Sequence, residues 1–236
     1  MSFRFRDRAQ AGQLLAAKLE ERATSSEAFV LGLPRGGVPV AAAVARRLGA
    51  PLDIFLVRKL GAPGHEELAI GAIASGGEPF LNQELITALE LSPSQVEQVI
   101  ARENAELRRR EQVFGCGAVA PKVQNRPVIL VDDGLATGAS MRAAVDAIRS
   151  MQPARITVAV PVAARETCEE FESLVDELVC VQTPRRFRAV GEWYEDFAQT
   201  TDDEVRAALA QAQRFPIARP PQARAPTHFD IRNHLI

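Results

Sequence analysis

Apolar residues occur along this chain in short, nearly unbroken runs at 28–33, 52–57, 127–131, 156–162 and 178–181. Runs of this length bounded by glycine or polar turns predict strands buried on both faces, as in a parallel sheet. Between them lie stretches with helical spacing. Residues 8–22 place Leu14, Leu15 and Leu19 on one face; 38–48 carries Pro39 in its first turn and stops at Gly49. Further helices are predicted at 139–151, at 165–174 and, capped by Thr201 or Asp202, up to residue 214. Segment 82–114 predicts two helices. The second starts at Ser92-Pro93 and carries Val96, Val99, Ile100 and Leu107. Residues 69–74 and 79–81 around Ser75-Gly76-Gly77-Glu78 predict a hairpin, and 115–126 a loop.

Strand–helix alternation predicts an α/β fold, a mostly parallel central sheet flanked by helices. One domain is expected over 1–214, with a helical insertion at 82–114 and an irregular, aromatic subdomain at 183–200. The Pro- and Arg-rich residues 215–236 read as a tail.

Composition narrows the class. The 28 basic and 30 acidic residues leave a net charge of -2, without the basic excess of a dedicated nucleic-acid binder. No apolar stretch is long enough to predict a membrane span, and the N-terminus lacks the apolar run of a signal peptide. Cys116, Cys168 and Cys180 lie far apart without a C-x-x-C pair, which predicts a reducing, cytoplasmic setting and no zinc site. Only three of the basic residues are lysine, which singles out Lys59 at the end of the second apolar run.

The most informative stretch is 128–140, VILVDDGLATGAS. A buried strand ends in Asp132 and Asp133; a glycine turn follows and opens into a helix. Small residues let backbone N–H groups approach an anion, and a helix N-terminus favours a phosphate. No lysine follows the last glycine, so this is not a Walker A loop. Two acids would repel a bare nucleotide phosphate. They make sense as acceptors for a sugar diol whose phosphate sits one loop further on, the layout of ribose 5-phosphate.

This string resembles the signature of the type I phosphoribosyltransferases: an apolar strand, two acids, then Thr137-Gly138-Ala139-Ser140. The resemblance implies that Asp132 and Asp133 hold the ribose hydroxyls of 5-phosphoribosyl 1-pyrophosphate (PRPP), alone or through Mg²⁺ and water. It implies that Ala136, Thr137, Gly138, Ala139 and Ser140 hold its 5′-phosphate. The chain is similar to stand-alone proteins of this family without an assigned acceptor.

Other segments take meaning beside that string. Arg35, Gly36 and Gly37 follow the first strand at the place of the family's pyrophosphate loop. Arg58 and Lys59 are expected at a strand end, facing the same ligand. Segment 60–68 occupies the place of the family's mobile flap. The family's hypoxanthine and guanine members carry an aspartate for proton transfer where this chain has Ala136, so His65 or Glu67 on the flap is the candidate base. Phe187, Trp193 and Tyr194 fall in the family's acceptor-binding hood, where a ring would stack on a planar base.

The expected activity is transfer of phosphoribosyl from PRPP to a nitrogenous base with release of pyrophosphate, by a magnesium-dependent homodimer. The alternatives are a non-catalytic sensor of PRPP or nucleotides, and a hydrolase on the same fold.

Overall fold

Each apolar run contains a strand, because a sheet covered on both faces buries consecutive apolar residues without alternation. A computed structural model describes residues 3–22, 27–76 and 78–214; the expected tail lies outside them. The first half contains α1 (Arg8–Glu21), β1 (Phe29–Gly32), α2 (Gly37–Leu48), β2 (Leu52–Ile54), β3 (Val57–Ala62), β4 (His65–Ala74) and β5 (Phe80–Leu81). Then come α3 (Gln83–Ala88), α4 (Pro93–Phe114), α5 (Ala120–Val123), β6 (Pro127–Val131) and α6 (Ala139–Ser150). Last are β7 (Arg155–Val162), α7 (Arg165–Glu172), β8 (Glu177–Gln182), a 3-10 turn at Val190–Trp193 and α8 (Asp202–Arg214).

Five strands form one parallel sheet in the order β2-β1-β6-β7-β8. Alternate residues feed opposite cores. Leu31, Leu130 and Val158 pack towards α6 and α7, whereas Val30, Ile129 and Ala159 pack against α1 and α2. From β1 the chain moves to β2 on one side, and from β6 to β7 on the other. Beyond the carboxyl ends of β1 and β6 lies the crevice where such sheets bind ligands.

Three expectations change. Segment 52–57 is not one strand. β2 ends at Ile54, and Val57 begins a separate antiparallel sheet in the order β3-β4-β5. Phe55 and Leu56 are both buried, one in the core under α6 and the other in a core with α4, so hydrophobicity is continuous while the sheet changes. Second, segment 60–68 forms the paired arms of β3 and β4, with a turn at Pro63-Gly64. Gly61 is needed at its irregularity, since a Cβ there would come 2.4 Å from the Glu66 carbonyl oxygen. Third, the expected loop at 115–126 contains α5.

The hairpin between β4 and β5 forms as expected, pairing Gly71 with Leu81 and Ala72 with Phe80. The long helix starts at Pro93 behind a capping box in which Ser92 and Gln95 satisfy each other's backbone N–H groups. No helix among the described residues is long and apolar enough to cross a membrane.

Candidate active site

Four buried residues of β6, Val128 to Val131, deliver Asp132 to the crevice. Its Oδ1 accepts the backbone N–H of Asp133 at 2.8 Å. Burial pushes the Asp132 carboxyl well above the usual carboxylate range, and the neighbouring Asp133 charge pushes it further. Burial also raises Asp133, but Arg8 opposes the shift with its Nε 2.9 Å from Asp133 Oδ2.

The loop after β1 rests directly on these acids. A Cβ on Gly36 would lie 2.0 Å from Asp133 Oδ2, and one on Gly37 would lie 2.7 Å from the Val131 carbonyl oxygen and 2.9 Å from Asp132 Cα. Only glycine permits that approach. The Pro34–Arg35 peptide is cis.

The turn after the acids is held from below. Leu135 pairs with Ala163, and Thr167 of α7 donates its hydroxyl to the Ala136 carbonyl at 2.6 Å. Gly138 has φ +71° and caps α6, whose first backbone bond runs from Arg142 N–H to the Gly138 carbonyl. The N–H groups of the opening turn therefore have no partner within the helix backbone. Ala136, Thr137, Ala139 and Ser140 are exposed while Gly138 is buried, so the turn is open on its outer side.

A cavity of about 400 Å³ takes in part of each: Pro34 from the loop after β1, Asp132 from the acid pair and Ser140 alone from residues 136–140. Pro34, Arg58, Lys59, Glu67, Asp132 and Ser140 line it. Arg58 and Lys59 reach it from β3, near the start of the second sheet rather than from the end of a parallel strand. Lys59 Nζ lies 3.2 Å from Glu67 Oε2. His65 is exposed and outside the lining, and Arg35 faces a neighbouring cavity with Arg109, Arg110 and Asp202.

In the aromatic segment, Tyr194 is tied to the acid pair. Tyr194 is only 2% exposed, packs against Phe5 and Phe197, and donates its hydroxyl to the Asp133 carbonyl at 2.6 Å. The ring is buried in that cluster, so it supports the acid pair. Phe187 and Trp193 are half-buried against the same cluster, and none of the three lines the cavity.

Two sets of residues were not legible beforehand. Arg102, Glu103 and Arg110 of α4 line the cavity. Glu103 sits on the buried stripe Val96, Val99, Glu103 and Leu107, and a carboxylate at a core position was the available signal. Arg8, on the acid pair, has no local signal.

Among the described residues no group of three or more His, Cys, Asp or Glu side chains could hold a metal ion. A divalent ion here would depend on ligand oxygens and water, with Asp132 among the carboxylates at the cavity.

The family model described as "Phosphoribosyl transferase domain" matches residues 6–196. Two Mycobacterium tuberculosis proteins, from strains CDC 1551 / Oshkosh and ATCC 25618 / H37Rv, bear the names "Putative phosphoribosyl transferase MT0597" and "Putative phosphoribosyl transferase Rv0571c". Each is 42% identical to this chain over 210 residues, which is 89% of this chain and 47% of the relative. The chain thus spans about half the length of these curated relatives. The crystal structure of TT1426 from Thermus thermophilus is 43% identical, with a TM-score of 0.79, covering 89% of this chain and 99% of that one. With its acid pair and glycine turn inside the matched span, this chain belongs to the phosphoribosyl transferase domain family.

Proposed function

We propose that this chain transfers the 5-phosphoribosyl group of PRPP to a nitrogenous base, releasing pyrophosphate. The observation that carries this reading is the convergence of Asp132, Ser140, Pro34, Arg58 and Lys59 on one cavity of about 400 Å³. Together they offer an acceptor for a sugar diol, one edge of the glycine turn for a phosphate and cations for a diphosphate. The volume suits a small-molecule ligand.

The bond from ribose C1 to pyrophosphate oxygen breaks, the bond to the acceptor nitrogen forms, and that nitrogen gives up its proton. Positive charge grows on the ring and negative charge on the leaving group. Asp132 accepts from the ribose hydroxyls and offsets the first; Arg58 and Lys59 offset the second. Glu67, paired with Lys59 across the hairpin and lining the cavity, is the candidate to receive the proton. Movement of the β3–β4 hairpin over the cavity would exclude water from the reactive ring. Mg²⁺ bound with PRPP would add charge neutralisation at the pyrophosphate, and with no group of three or more ligating side chains among the described residues such an ion would be carried by its ligand.

Calorimetry with PRPP and Mg²⁺ on the wild type and on Asp132→Asn/Asp133→Asn tests the binding step. The wild type should bind and the double variant should not; retained affinity in the variant overturns the assignment. A screen of purines, pyrimidines and amines for PRPP consumption tests the transfer. Pyrophosphate release that needs no acceptor would mark a hydrolase.

A further inference from the structure

The chain's first described segment is built into the acid pair's surroundings. Phe5 N–H donates to the Trp193 carbonyl at 2.8 Å, Glu195 N–H to the Phe5 carbonyl at 2.7 Å, and Asp196 N–H to the Arg6 carbonyl at 2.9 Å. Arg8, the first residue of α1, then reaches inward. Its Nε donates to Asp133 Oδ2 at 2.9 Å and its Nη1 to the Ala198 carbonyl at 2.8 Å. The guanidinium carbon sits 4.0 Å from the Phe197 ring centroid. Arg8 and Asp133 side chains are 12% and 15% exposed.

We propose that Arg8 is a positioning residue of the phosphoribosyl site: it engages Asp133 so that Asp132 is the carboxylate presented to ligand, and it fastens segment 190–198 over the turn at 134. The inference rests on the phosphoribosyl reading of the cavity. Asp132 lines that cavity, whereas Arg8 and Asp133 do not. A desolvated ion pair adds little net stability, so its value here is geometric. Its fork spans two pieces of chain that no backbone ladder joins: the acid pair after β6 and the aromatic segment after β8. Tyr194 makes the same connection a second time through the Asp133 carbonyl. At Gly134 a Cβ would lie 2.6 Å from Val190 Cγ1, so the two pieces pack without slack.

Arg8→Ala, Arg8→Lys and Tyr194→Phe, each in the full chain, separate positioning from general support. Arg8→Ala should weaken PRPP binding by about tenfold or more, a loss of about 1.4 kcal/mol per decade. It should speed amide exchange at 190–198 while exchange in the central strands 29–32 and 127–131 stays as in the wild type. Arg8→Lys should recover part of the affinity, because an ammonium can meet Asp133 but cannot also fork to Ala198. Tyr194→Phe should loosen 190–198 without removing a charge. With an acceptor in hand, the loss in Arg8→Ala should fall on the KM for PRPP more than on kcat. Unchanged affinity and exchange would overturn the proposal, as would faster exchange spread evenly over the sheet. If Arg8→Ala does not fold, Arg8→Lys and Tyr194→Phe decide by the same comparison. If the wild type fails to bind PRPP, the phosphoribosyl reading falls by itself, and the exchange pattern still decides whether Arg8 holds Asp133 and the aromatic segment together.

Discussion

Arg58 and Glu103 form a forked ion pair, with Nη2 and Nε of the guanidinium 2.6 and 2.8 Å from the same carboxylate oxygen. Glu103 is 8% exposed and Arg58 31%, and Arg102 Nε takes the second oxygen at 3.0 Å. The pair joins α4 to β3 at the wall of the cavity, so the helical insertion helps to set where Arg58 points. Arg58 is thereby committed to a protein partner, while Lys59, paired only with the exposed Glu67, is the freer of the two cations.

Glu103→Gln should therefore lower stability by about 1.5–3 kcal/mol, the scale of a hydrogen bond to a charged group. The shift in urea midpoint at constant slope reads it. PRPP affinity should fall as well, because the released Arg58 fork no longer has a fixed direction.

The two aspartates should respond differently to neutralisation. Asp132→Asn should reduce PRPP affinity by about 10- to 100-fold, from loss of a charged acceptor. Asp133→Asn should lower stability by about 3 kcal/mol, since it leaves the buried Arg8 guanidinium without a counter-charge. Calorimetry and chemical denaturation on both variants check the division.

The raised Asp132 value gives a pH signature in metal-free protein. Its folded-state value stands above the ordinary 3.8 because burial, and then the charge of Asp133, disfavour ionisation. The resulting stabilisation is present below the ordinary value and is lost as pH rises through the raised one. Asp132→Asn removes that dependence, so its melting temperature should gain on the wild type as pH rises from about 4 towards neutrality. Thermal melts of the two proteins across that range measure the difference.

Gly138→Ala should disrupt the glycine turn before α6. The residue has φ +71°, and its Cβ would meet Phe171 Cε2 at 2.6 Å and Thr167 Cγ2 at 3.0 Å. The left-handed backbone alone costs about 1–2 kcal/mol for a residue with a Cβ. The contact with α7 adds to it and displaces the first turn of α6. A lowered urea midpoint together with lost PRPP binding is expected.

Cys116 should resist alkylation at about pH 8. Burial, reinforced by Asp53, raises its thiol from 9.0 to about 11. The thiolate is the reactive form, so its population falls about 100-fold relative to an ordinary thiol. Iodoacetamide labelling followed by peptide mass spectrometry should find Cys116 modified only slowly, and faster after unfolding in urea.

Much of the fold was legible because burial on both faces leaves a local mark. Each of the five parallel strands overlaps an apolar run, and the long helix starts and stops at a cap and a left-handed turn, Ser92 and Gly115. The break between β2 and β3 left no such mark. Phe55 and Leu56 are equally apolar whether the chain stays in one sheet or leaves it for another. The extended arms around Gly61 were also hidden, because glycines permit a mobile loop and a bulged hairpin alike.

The sequence by itself determined the strand, the adjoining acids and the glycine turn, because each depends on neighbours within a dozen residues. Tertiary structure alone decided which acid meets the cavity, what restrains the other, and which helix walls the site. Arg58 and Glu103 are 45 positions apart, and Arg8 and Asp133 are 125 apart. Ion pairs across such separations have no periodicity to read. They exist only because folding brings charges out of water to places where each needs the other.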